Sequence, residues 1–151
     1  MSLSRRKARI VVLEALYQFD ISNGDANNII NAKLTGKNLS KGTKDFILKL
    51  AEGILEHRDE INNLIEANAE NWSMDRIAVI DRNILMLASF ELLYCPDVPF
   101  KVVIDEAVEL AKMYGAEDSG AFINGILDKI GKGIAFRKQE ISLSLQSLPQ
   151  R

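Results

Sequence analysis

Four basic side chains, Arg5, Arg6, Lys7 and Arg9, fall within five residues, and no acid appears before Glu14. On a helix Arg5 and Arg9 stand one turn apart with Arg6 beside them, so their guanidinium forks can converge on neighbouring phosphates. Cations in a first helical turn oppose the helix dipole, each by about 0.3–1 kcal/mol before screening, so local stability is given up there. Anion binding is the chemistry this cluster offers. The competing reading is a solvated turn that serves solubility. Tyr17, just over two turns after Arg9, lies near the same side and either stacks an unpaired base or packs in the core.

Other reactive side chains do not assemble. His57 and Cys95 are single, so neither a disulfide nor a zinc site can be built from them. His57, one turn from both Ile54 and Ile61, reads as a structural histidine, and Cys95 beside Pro96 as an inert filler. Asp105, Glu106 and Glu109 in VVIDEAVELAK fit the solvated face of an amphipathic helix better than a catalytic carboxylate pair. No glycine-rich phosphate loop follows a strand. The expectation is a protein without catalytic residues, cofactor or metal.

Two further stretches stand out. In SGAFINGILDKI, Gly125 interrupts good helix formers at roughly 1 kcal/mol against alanine, so either a neighbouring helix or a ligand chain should approach its backbone. Phe122 shares a face with Ile126, and reads as a core residue or an exposed stacking surface. In WSMDRIAVIDRNILMLASFELLY, Asp75, Arg76, Asp81, Arg82 and Glu91 decorate an apolar helix, as a solvated face or a docking face for a basic partner.

The elements that must position these residues are helical, because the apolar spacing is three-and-four almost throughout. Helices are predicted over about 4–23, 25–34, 40–69, 74–93 and 100–114, and from Asp118 or Ser119 to about Ile130. Asn23-Gly24, Thr35-Gly36, Cys95-Pro96-Asp97-Val98-Pro99 and Gly115 punctuate them. From about Lys138 the period fades and the tail should fray. The expected fold class is all-α, six to seven helices in one domain of two packed helical-bundle subdomains, about 4–69 and 73–138.

Composition agrees with a soluble globular chain: 151 residues, 47% hydrophobic and 26% charged. No apolar run approaches the roughly 18–20 residues that span a bilayer, and no signal-peptide pattern is present, so a cytosolic location is expected. Net charge is −2, but residues 1–14 carry four basic groups against one acid, while the rest carries 15 against 20. A basic end on an acidic body suits a polyanion at one place and a cationic partner at another.

Three segments, RRKARIVVLEALYQFD, WSMDRIAVIDRNILMLASFELLY and DVPFKVVIDEAVELAKMYGAEDSGAFINGILDKI, resemble those of the NusB family in order and spacing. The resemblance runs from about Ser4 to Ile130. It departs at Asp105, where the family usually has Asn, and at Gly120-Ala121, where longer polar residues are frequent. It implies an all-α fold and binding of single-stranded boxA leader RNA together with the small-subunit ribosomal protein NusE. That pair helps load other Nus factors onto RNA polymerase for read-through, notably of ribosomal RNA operons. By position, the RNA-contacting residues fall on Arg5, Arg6, Lys7, Arg9, Tyr17, Asp118, Phe122 and Asn124, and the NusE face on Asp75 and Asp81. The alternatives are the NusB-like domain of a ribosomal RNA cytosine methyltransferase, which requires a second domain, and a helical adaptor that binds only protein.

Overall fold

A computed structural model describes residues 3–35, 38–70 and 72–147. Seven α-helices and no strand occur among them: α1 Leu3–Ser22, α2 Ala26–Leu34, α3 Lys41–Glu56, α4 Arg58–Asn68, α5 Val79–Tyr94, α6 Phe100–Tyr114 and α7 Ser119–Gln146. A single 3-10 turn, Met74–Arg76, precedes α5.

Local chemistry explains most of the boundaries. Asn23 ends α1 in the left-handed conformation, φ 53°, which asparagine tolerates better than most residues. Asp25 then caps α2 by accepting the Asn28 N–H at 3.1 Å, and Ser40 caps α3 by accepting the Thr43 N–H at 3.2 Å. Pro99 opens α6 and Gly115 closes it, as the sequence predicts.

At three places the structure departs from the sequence reading. The long helix expected over 40–69 is broken at His57, where φ −105° and ψ 22° leave the helical region. The break directs α3 onto α1 and α5, and α4 onto α5 and α7. His57 stacks on Tyr94 at 4.2 Å, and the Tyr94 hydroxyl donates to Glu60 at 2.7 Å. The helix expected from Met74 begins only at Val79, because Ile77 and Ala78 are extended. That detour lets Met74 and Ile77 both enter the core. The tail expected to fray is helical to Gln146, although beyond Ile134 its residues are exposed.

Helix α5 is the axis of the fold. Every residue from Asn83 to Leu92 is buried, and α1, α3, α4, α6 and α7 all pack on it. The core is continuous from Val11 and Leu13 of α1 through Ile47, Leu50, Ile61 and Ile84 to Leu110, Ile123 and Leu127. Gly53 is part of that packing, since a Cβ there would collide with the Phe90 ring.

Candidate nucleic-acid interface

Each arginine at the start of α1 meets a carboxylate from the far half of the chain. Arg5 lies 3.5 Å from Asp97 and over the Phe46 ring at 4.4 Å. Arg6 donates from Nε to Glu106 at 3.0 Å. Arg9 donates from Nε and a terminal nitrogen to Glu91 at 2.9 and 2.7 Å, with Glu106 at 3.9 Å from its other terminal nitrogen. Lys7 is exposed. The charges that oppose the dipole of α1 are therefore answered by acids of α5, α6 and the segment between them.

Arg9 corrects the sequence expectation. It is 1% exposed, so it has no surface from which to reach a phosphate, and it joins α1 to α5 and α6 instead. Burial opposes its charge, but the Glu91 hydrogen bond and the charges of Glu91 and Glu106 outweigh burial and raise its pKa above the ordinary value. Glu106 is a second correction: it is 8% exposed rather than part of a solvated face. Asp105 and Glu109 do stay on the outer side, paired with Lys101 and Lys112.

The other candidates fall into three places. Arg6, Lys112 and Asn124 line one open groove of about 690 Å3 between α6 and α7, with Asp105, Glu109 and Glu117 on its walls. Tyr17 is 45% exposed and not a core residue, and it lines a second groove of about 630 Å3 with Tyr114, Lys33 and Ile80. Phe122 is half-buried, edge-on to the exposed Trp72 at 5.9 Å. Two residues on a helix are turned about 200° apart, so Phe122 and Asn124 look to different sides of α7. Asp118 is exposed at the α7 N-cap.

Gly125 is also a correction. It is exposed and nothing lies within 4 Å of where its Cβ would be, so no neighbouring helix uses the missing side chain.

On the prospective partner face, Asp75 is exposed, whereas Asp81 is half-buried and accepts the Ser119 hydroxyl at 3.1 Å. Asp81 therefore helps to fasten α7 to α5.

Sequence reading missed Glu91 and Glu106 as partners of the arginines. The signal was present: Glu91 continues the inward stripe Ile84, Leu87, Ala88, and Glu106 lies between Val103 and Leu110 on that of α6. An acid on one buried stripe and an arginine on another predict an internal ion pair. Among the described residues no group of three or more His, Cys, Asp or Glu could hold a metal. Burial pushes the Cys95 thiol pKa up, away from the reactive thiolate. No helix among the described residues is long and apolar enough to cross a membrane.

The NusB family model matches residues 6–132. The transcription antitermination protein NusB of Dehalococcoides mccartyi is 42% identical over 135 residues, covering 89% of this chain and 94% of that protein. The structure of T. maritima NusB superposes with a TM-score of 0.82 at 42% identity, covering 87% of this chain and 93% of the other. A NusB chain from a crystal structure of antitermination factors NusB and NusE in complex with dsRNA gives 0.80 at 29% identity, covering 88% and 99%. With the family model matched over residues 6–132 and relatives matched over nearly their full length, this chain belongs to the NusB family.

Proposed function

We propose that this chain is a non-catalytic, RNA-binding transcription antitermination factor that engages boxA-type RNA together with NusE in the cytosol. The observation that carries the reading is the presentation of Arg6 and Lys7 at the α1 start, with Arg6 sharing a groove with Asn124. Arg5, Arg6 and Lys7 supply phosphate contacts, and the exposed Tyr17 supplies a stacking surface for an unpaired base. Asn124 extends the RNA surface in the groove it shares with Arg6, while Asp118 and Phe122 meet RNA that wraps to the other side of α7. NusE docks near the exposed Asp75, with Asp81 behind it holding α7 in place. Other Nus factors and RNA polymerase join through this assembly. The relatives' name and the solved NusB–NusE complex with dsRNA support this reading.

The test is a titration of boxA RNA with and without saturating NusE. Binding that tightens about 5- to 150-fold with NusE is expected, and by linkage RNA must tighten NusE by the same factor. No RNA binding under either condition would leave a protein-only adaptor.

A further inference from the structure

Glu106 touches both arginines at the heart of the cluster, and neither composition nor spacing had marked it as functional. We propose that Glu106 is a positioning residue for RNA binding: it pins the Arg6 guanidinium by Nε and leaves the terminal nitrogens to a phosphate in the α6–α7 groove. The inference rests on the reading of Arg6 as a phosphate contact.

Three observations carry it. The contact is made by Glu106 Oε2 to the stem-side nitrogen at 3.0 Å, so the edge of the fork that suits bidentate phosphate binding is not consumed by this bond. The two side chains differ in freedom: that of Arg6 is 43% exposed and that of Glu106 only 10%. The carboxylate is thus anchored in the fold and the guanidinium faces outward. Finally, Glu106 is backed by Arg9 at 3.9 Å, whose other nitrogens hold Glu91. Part of the Glu106 charge is offset from behind, so it does not fully neutralise Arg6, which faces a groove shared with Lys112 and Asn124 and walled by Asp105, Glu109 and Glu117.

A long side chain free in solution loses rotamer freedom when it binds, whereas one already pinned loses less. That is the physical gain from Glu106. The rival role, a carboxylate that competes with RNA for Arg6, has the opposite sign.

The experiment is a double-mutant cycle on the full chain with NusE and a single-stranded boxA oligonucleotide. It compares wild type, Arg6→Ala, Glu106→Ala and the double variant, with circular dichroism used to express affinity per folded molecule. Glu106→Met, which lacks an acceptor but fills the space, replaces the alanine variant if that does not fold. Glu106→Ala is expected to weaken RNA binding roughly two- to tenfold, the range set by ordering one long side chain. It should have no further effect once Arg6 is alanine. Glu106→Gln, whose amide oxygen still accepts from Nε, should restore most of the loss. Unchanged or tighter RNA binding by Glu106→Ala, or an equal loss in the Arg6→Ala background, would overturn the positioning role while leaving RNA binding intact. A wild type that binds no RNA would overturn both this inference and the function on which it rests.

Discussion

The two ends of the helical chain, the start of α1 and the end of α7, are built from similar residues and meet opposite fates. Both carry basic side chains among apolar ones: Arg5, Arg6, Lys7 and Arg9 in one, Lys129, Lys132, Arg137 and Lys138 in the other. At the start of α1, carboxylates of α5 and α6 face the cations, and Arg9 is drawn fully inside. At the end of α7 no such stripe among the described residues faces the helix, and Phe136, Ile141, Leu143 and Leu145 are each about 60% exposed. The matched family region stops at residue 132, before these side chains begin. Residue type alone does not decide whether a charge serves the fold or the surface. The facing stripe decides it.

The sharpest way to break this contrast is to remove Arg9. Arg9→Ala leaves Glu91, 2% exposed, without its bidentate partner, and unpairing a buried ion costs about 3–5 kcal/mol. A comparable loss in urea unfolding is expected, with much of it recovered in Arg9→Met combined with Glu91→Leu. A surface arginine would show less than about 1 kcal/mol in the same measurement.

A smaller effect is expected at the helix break. The Glu60 hydrogen bond, with burial and the Glu60 charge adding to it, pushes the Tyr94 pKa from 10.0 up to about 12. A raised folded-state pKa gives stability that is complete below the unfolded value and is lost as pH rises from 10.0 to about 12. Melting followed across that window should show a decline that is smaller in Tyr94→Phe. An identical decline in both would detach Tyr94 from Glu60.

The smallest effect belongs to the other end of the comparison. Residues 139–147 are all exposed, so truncation after Lys138 should change stability by no more than about 0.5 kcal/mol. A loss of several kcal/mol would mean that the α7 extension packs on something after all.

What was legible in the sequence follows the same division. The bounds of α6 were readable because Pro99 and Gly115 act locally, and the start of α3 because Ser40 caps its own helix. The break at His57 was not, since no glycine or proline marks it and the ring that His57 stacks on, Tyr94, lies 37 residues away. Among site residues, the exposure of Tyr17 removes the core alternative left open by its spacing and Asn124 lines a groove with Arg6, whereas the places of Arg9 and Glu106 depended on which helices face α1. Gly125 carries a helix cost that no contact among the described residues explains.

The central claim is that the basic start of α1 is divided, with Arg9 inside the fold and Arg5, Arg6 and Lys7 presented to RNA. It is tested most directly by the salt dependence of boxA RNA binding in wild type and in the Arg5→Ala/Arg6→Ala/Lys7→Ala variant. Three phosphate contacts to a single strand give a log–log slope of about −2, at roughly 0.7 each. The variant should fold, with its helical circular dichroism intact, and its slope should fall toward zero. A slope that stays near the wild-type value in the folded variant would place the RNA on another face of the molecule and contradict the claim.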